Sequence, residues 1–307
     1  MGEFQFLKSF PKLEDDELNN LSFFFQPDFA YRNGKDNLRC YIIQKDSTLC
    51  AYIYFSIKGN IAVSLANSPY GGIVTFIAIK APIIEQFIEY IIKDFKKEGL
   101  KIVEIRNSPK CYGYHTFEES ILKMGFDNVC SDINQHIEIE KKTFPSKLNS
   151  DKKYRLNRCK KSNFHSRELL REEFKDAFFL IEGNMNRKKY PLTLSYDLLE
   201  QSINSFPNRY IGFGVYNHQL MIAAIISVKV DDAIIYNFYH GYSQEYMKYS
   251  PLVLALEYEY EYAYIENFKQ IDLGISSVNG ICNEGLFHFK KAIGGVKGEK
   301  NSFRYKI

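Results

Sequence analysis

His240 ends an apolar strand-like run, and an imidazole titrates near neutrality, so it is a candidate proton acceptor. Asp272 closes a second short run, Ile271-Asp272-Leu273-Gly274, where a carboxylate either accepts a proton or orients nearby backbone. The segment Gly241 to Ser250 leads into a helix start at Ser250-Pro251, where unpaired N–H groups favour an anion and Lys248 adds charge. Gly241, Lys248, Tyr249 and Ser250 are therefore candidate contacts for an anionic donor; the alternative is an ordinary strand-to-helix connection. Tyr239, Tyr246 and Tyr249 offer rings for a sugar or base, or simply pack. The densest positive run, Lys152 to Lys161, extends through Arg167 and Arg171. Its Arg155 and Arg158 are candidates to grip the phosphates of an RNA or the diphosphate of a nucleotide-linked acceptor. The alternative is a solvated helix, with Tyr154, Asn157 and Cys159 giving it a less polar face to dock. Tyr70-Gly71-Gly72 brings backbone N–H groups close to an acceptor or allows a tight turn. Lys290 falls on an amphipathic helix, where most lysines are solvated, and Glu284 is expected to cap that helix.

These residues belong to a chain of 307 residues that is 45% hydrophobic and 25% charged, a globular balance with length for two domains. A net charge of +3 does not make nucleic acid the leading partner. The start, Met1 to Phe10, lacks the basic and apolar regions of a secretory signal, and the apolar stretch Ile73 to Ile92 is interrupted by charges and Pro82. A cytoplasmic location without a membrane span is expected. None of the six cysteines forms a CxxC pair, and no histidine cluster has zinc-ligand spacing, so reduced thiols and no metal are expected.

The elements that must position the candidates occur in the same order twice. Strand-like runs at Arg39–Lys45, Thr48–Ile57 and Ile61–Ala66 precede a helix from Ala81 to Glu98, in which Ile84, Phe87, Ile88, Ile91 and Phe95 recur at helical spacing. A strand at Ile102–Arg106, a helix near Thr116–Met124 and a strand around Asn134–Ile139 follow. After a polar stretch, Lys141 to Asp151, the second half gives helices at Arg171–Asn184 and Ser195–Asn204 and strands at Tyr210–Tyr216, Met221–Val230 and Ala233–Tyr239. Then come a helix starting at Ser250-Pro251, a strand at Gln270–Leu273, a helix at Glu284–Ala292, a Gly294-Gly295 stop and a short last strand. Glu257 to Tyr264 alternates acid and aromatic, yet read as a helix it places Leu254, Tyr258, Tyr262 and Ile265 on one face. Parallel doubly wound folds alternate strand and helix from the start and do not fit. The expected domains are 1–145 and 146–307.

Three stretches resemble the tandem-GNAT group that includes the Fem-type peptidyltransferases of peptidoglycan bridge synthesis. They are Ser68-Pro69-Tyr70-Gly71-Gly72-Ile73, the basic helix Lys152 to Lys161, and Ile271 to Gly274 followed by Gly285-Leu286-Phe287-His288-Phe289-Lys290-Lys291 and Gly294-Gly295. The resemblance implies an α/β (α+β) chain of two GNAT-like domains in tandem, each a mixed, mainly antiparallel sheet flanked by helices, with the reactive cleft in the second. It implies acyl transfer from acyl-CoA or aminoacyl-tRNA, as substrate and not as a resident cofactor, to an amine on a small-molecule or nucleotide-linked cell-envelope precursor. It also implies that Lys290 lies near the transferred acyl group, stabilising its oxyanion; for such a reaction His240 or Asp272 is the candidate base, and Tyr70, Gly71, Gly72, Arg155, Arg158 and Tyr239 are the candidates toward the acceptor. The phosphate-cradling loop of ordinary GNAT enzymes, Gln/Arg-x-x-Gly-x-Gly/Ala, is not found; Gly241 to Ser250 holds its place with one glycine.

Overall fold

The computed structural model describes residues 3–19, 21–34, 37–190 and 192–307. The chain begins with β1 (Phe4–Lys8), α1 (Asp15–Asn19), α2 (Pro27–Gly34), β2 (Leu38–Lys45), β3 (Thr48–Lys58), β4 (Ile61–Val63) and β5 (Val74–Thr75). Asp46, Ser47 and Gly59 take positive φ in the tight turns that fold β2, β3 and β4 onto one another. Next are α3 (Ala81–Lys97), β6 (Ile102–Arg106), α4 (Glu118–Lys123) and β7 (Asp127–Glu138). Pro82 in the first turn starts α3, and the expected stripe of Ile84, Phe87, Ile88, Ile91 and Phe95 is buried throughout.

The chain continues through α5 (Phe144–Lys147), α6 (Ser150–Lys161), β8 (His165–Glu168), α7 (Phe174–Arg187), α8 (Tyr196–Ser205), β9 (Tyr210–Asn217), β10 (Leu220–Lys229) and β11 (Ile234–Tyr242). It ends with α9 (Leu252–Ile265), β12 (Gln270–Ile275), β13 (Ser277–Val278), β14 (Ile281–Cys282), α10 (Glu284–Ala292) and β15 (Val296–Lys306). Asn149, Ser195 and Asn283 cap α6, α8 and α10 through side-chain oxygens. Glu284, expected as a cap, instead pairs with His288 one turn along at 3.3 Å, because Asn283 already fills the cap position. The alternating stretch Glu257 to Tyr264 is helical. Its expected single face does not hold: Ile265 is 72% exposed, while Leu252 through Glu257 are buried in succession, with Glu259, Tyr260 and Ala263. A helix covered on nearly all sides carries no one apolar stripe to read.

Two compact units form, each built around its own run of paired strands. The first gathers Met1–Ile133, Ser277–Cys282 and Gly298–Ile307; the second gathers Asn134–Ser276 and Asn283–Lys297. In the first, β1, β2, β3 and β4 pair antiparallel in that order, α3 crosses over to make β6 parallel to β4, and β15 lies antiparallel to β6. In the second, β8, β9, β10 and β11 pair antiparallel, α9 crosses over to make β12 parallel to β11, and β7 lies antiparallel to β12. Each unit thus repeats the mixed, mainly antiparallel plan.

One strand in each unit's run comes from the other half of the sequence: β15 in the first unit, Asn134–Glu138 of β7 in the second. The units therefore do not coincide with 1–145 and 146–307. The stretch 141–151 is no free linker either. Phe144 is buried against the α9 core, and the Tyr260 hydroxyl accepts from Glu140 N and donates to Lys142 O. All six cysteines are free, and no described helix is long and apolar enough to cross a membrane. Among the described residues no group of three or more His, Cys, Asp or Glu is placed to hold a metal.

Phe303 of β15 is buried in the first unit's core with Tyr41, Phe87 and Phe95. Phe303→Ala is expected to cost about 3–5 kcal/mol in urea unfolding, as for a deep core aromatic; a loss below about 1 kcal/mol would mean that β15 is an appendage.

Candidate active site in the second unit

Strand β11 runs on to Tyr242, so His240 and Gly241 lie within it, not after it. Against β10, Ile226 faces Tyr239 and Ser227 faces Asn237, which leaves Phe238 as the extra residue of a bulge. In a regular strand residues three apart point to opposite faces; the extra residue returns Asn237 and His240 to one face. There His240 Nδ1 is 2.7 Å from Asn237 Oδ1. Asn237 Nδ2 donates to Glu259 Oε2 at 2.8 Å, and Ser227 Oγ donates to Glu259 Oε1 at 2.5 Å. Glu259, on α9, is 0% exposed, and burial pushes its carboxyl up to about 7 against the pull of those two bonds. Burial, with the charges of Lys290 and Lys188, pushes His240 down to about 3, so the ring is neutral at physiological pH.

Lys290 is not on an exposed face. It is 2% exposed and donates to Gly274 O at 2.9 Å and Ile275 O at 2.8 Å, tying α10 to the end of β12. Burial pushes its ammonium down to about 7, with Asp272 pulling the other way. An ammonium has three donors, so one remains. Asp272 Oδ1 accepts from Gly274 N at 2.8 Å and Asn134 Nδ2 at 2.9 Å, so it shapes the turn, with Gly274 at φ 73, that presents the carbonyls to Lys290. That is an orienting geometry. Asn237, His240 and Lys290 line one cavity with apolar side chains of α9, β12 and α10; at about 10 Å³ it has room for at most one water.

The structure thus brings His240, Asp272 and Lys290 into one neighbourhood, and adds Asn237 and Glu259. The sequence carried a signal for both: an amide within the apolar run Ile234 to Tyr239, and acids spaced along a helix with no polar face.

The donor and acceptor candidates sort differently. A Cβ on Gly241 would lie 2.8 Å from Ile181 Cα and 3.1 Å from Asn184 Cβ, so this glycine admits α7 against the strand and is no phosphate loop. Residues 244–249 form a 3-10 turn, and the N–H groups of Tyr246, Ser250, Val253 and Leu254 bond to carbonyls of Ser243, Met247, Ser250 and Pro251. Ser250, at φ 54, makes no side-chain cap. Arg158 lies 4.6 Å from the Tyr249 ring centroid and Arg155 reaches Lys248 O at 3.4 Å, so these four residues form one cluster. Helix α6 docks through Leu156 and Cys159, while Tyr154 is 66% exposed and Asn157 also faces solvent, unlike the expected docking face. Part of its charge is matched locally, Arg155 by Asp151 at 2.9 Å and Lys160 by Glu257 at 2.7 Å.

The Tyr239 hydroxyl is committed to Thr193 N, Leu194 N and Thr193 Oγ1, which fastens the segment before α8 and leaves it unsuited to hold an acceptor. In the first unit Tyr70 is 1% exposed, its hydroxyl 2.7 Å from Ser22 Oγ and its ring against Phe24, Phe25 and Tyr112. A Cβ on Gly71 would lie 2.5 Å from Ser64 O, its N–H bonds Arg106 O at 2.7 Å, and Gly72 takes φ 116. The Tyr70-Gly71-Gly72 loop is a tight turn packed into a core, where only glycine fits.

No protein-family model matches the sequence, and no curated protein does. Among solved structures the chain is similar to FemX, at TM-score 0.72 and 12% identity over 99% of this chain and 97% of that one. It is similar to a tandem GNAT protein from the clavulanic acid biosynthesis pathway, at TM-score 0.57 and 10% identity over 99% and 98%. It is also similar to the C-terminal domain of a putative lysylphosphatidylglycerol synthetase from Agrobacterium fabrum, at TM-score 0.57 and 8% identity over 83% and 80%. The chain has the tandem-GNAT fold. Within that fold class its likeness to FemX spans nearly the whole of both chains.

Two outcomes follow for the site. Gly241→Ala is expected to lower unfolding free energy by about 1–3 kcal/mol, through overpacking against α7; unchanged stability would mean that the approach of α7 is slack. Lys290 binds its proton less tightly folded than unfolded, so the unfolded chain holds more protons between about pH 7 and 10.5. Its contribution therefore makes wild-type stability rise across that window, and Lys290→Met should remove this rise in denaturant titrations. An identical pH slope in the variant would show that the lysine titrates normally.

Proposed function

We propose that this protein is an acyl- or aminoacyl-transferase acting on an amine acceptor, of the kind carried by cell-envelope sugars or peptidoglycan-type precursors. One observation carries the reading: within a GNAT-type unit, an imidazole and a buried lysine line the same small cavity. The amine lone pair attacks the donor carbonyl, a C–N bond forms, and the carbonyl oxygen becomes an oxyanion. The remaining donor of Lys290 stabilises that charge. The ring nitrogen of His240 not bonded to Asn237 takes the amine proton, directly or through one water. Burial first and the lysine charges second hold His240 down; the oxyanion offsets the second, and attack makes the nitrogen more acidic, so the ring takes the proton. The tetrahedral centre then collapses to the amide, its carbon–oxygen or carbon–sulfur bond to the carrier breaks, and the carrier leaves with the proton that His240 took. Seating a carbonyl there requires side chains such as Phe289 or Leu252 to move aside, since the cavity as folded admits no acyl group.

The cluster of Arg155, Arg158 and Lys248 is the place for the carrier's phosphates. Acyl-CoA is the first donor to test, because one neighbour of the same fold is described as lacking AcCoA in its structure; aminoacyl-tRNA is the second. The alternative reading, a binding module without catalysis, draws on the 3-10 turn at residues 244–249, whose N–H groups are largely occupied by its own carbonyls.

Purified protein with labelled acyl-CoAs and aminoacyl-tRNAs should transfer label to an amino-sugar or muropeptide acceptor; no transfer over that panel defeats the enzyme reading. Calorimetry showing acceptor binding without donor binding would then favour the module. Lys290→Met should reduce turnover by about 100-fold or more while the fold survives, and near-wild-type turnover would remove the lysine from the mechanism.

A further inference from the structure

We infer that Glu259 and Asn237 are positioning residues that hold His240 in the tautomer with its proton on Nδ1, leaving Nε2 bare on the cavity side. The inference deepens the transferase reading, and its kinetic half rests on that reading.

A primary amide can turn either its oxygen or its nitrogen toward a ring. If Asn237 presented its nitrogen, Nδ1 of His240 would accept, the proton would sit on Nε2, and the ring could not take a proton there. Glu259 settles the choice. With Ser227 Oγ at its Oε1, its Oε2 is the acceptor that draws Asn237 Nδ2 to 2.8 Å, so Asn237 Oδ1 is left to face the ring. A carboxylate does this, and so does a carboxyl with its proton on Oε1.

The cost of the arrangement argues that it is retained for more than packing. Glu259 is fully buried on a helix whose neighbours Leu254, Ala255, Leu256, Tyr260 and Ala263 are all core residues. No ion pair is formed with it among the described residues; its partners are an amide and a hydroxyl. Burying a carboxyl on such terms stabilises less than an apolar residue of the same shape. Asn237 meets Glu259 and His240 together only through the bulge at Phe238. The polar groups that act on the ring are Asn237 on its own strand, by hydrogen bond, and Lys290 on α10 and Lys188 just past α7, through their charge.

The test reads the ring directly, in full-length protein labelled with 15N-histidine. His240 signals, assigned by their loss in His240→Gln, should show a protonated Nδ1 and an unprotonated Nε2 at neutral pH. Asn237→Leu and Glu259→Met should move the ring toward the other tautomer and lower kcat by about tenfold or more with KM within about threefold. Glu259→Gln, whose amide still accepts from Asn237 and donates to Ser227, should keep both the tautomer and most of kcat. A wild-type ring protonated at Nε2 overturns the inference without any variant. So does a fall in kcat with the tautomer unchanged in Asn237→Leu and Glu259→Met, which would mark a structural role. If wild-type protein transfers no acyl group at all, the transferase reading fails while the tautomer result still decides the positioning claim.

Discussion

The bulge at Phe238 is the constraint on which the buried polar row of the second unit depends. One extra residue in β11 cancels the two-residue period of the strand, and polar side chains three apart arrive on the same buried face. Without it, Asn237 and His240 would lie on opposite sides of the sheet, and Glu259 would have only Ser227. With it, a hydroxyl, a carboxyl, an amide and an imidazole form one hydrogen-bonded row that ends at the cavity lined by Lys290.

The two units share a plan but not a use of it. In each, a helix crosses over between the parallel pair of strands. In the first unit that helix, α3, is amphipathic in the ordinary way, with five apolar residues inward and its charges outside, among them the Lys93–Glu89 pair. In the second unit the equivalent helix, α9, is covered nearly all round and takes acids into the core. Local rules of burial are obeyed in one and broken in the other, and the break coincides with His240 and Lys290. Proteins retain such violations where a site needs them.

The exchange of last strands has its own consequence. Phe303, Tyr305 and Ile307 of the C-terminal segment pack on the first unit's core, and Asn134 to Glu138 give the second unit both its last strand and the Asn134 donor to Asp272. Neither half of the sequence contains every strand of its unit's run. The carboxylate that shapes the Lys290 turn is thus held partly by a residue from the first half of the chain.

Much was legible from residues alone where the information is local. The stripe of α3, the hairpin turns, the Gly294-Gly295 stop and the candidacy of His240 and Asp272 follow from spacing and residue type, because period and side-chain chemistry are carried by neighbours in sequence; Lys290 is singled out by the resemblance alone, its helical position favouring a solvated lysine. Strands β1 and β8 escaped because five and four residues give a period too few repeats, and β15, eleven residues long, reads as short because its first half is polar, down to the buried Asn301, and only Phe303 and Tyr305 mark an apolar face. What only the folded chain decided is long-range: which half supplies the strand completing each unit, where β11 bulges, and that Lys290 is buried among carbonyls and not solvated. Those outcomes depend on pairing between segments distant in sequence and on what a neighbouring element covers, and no local pattern of residues encodes either.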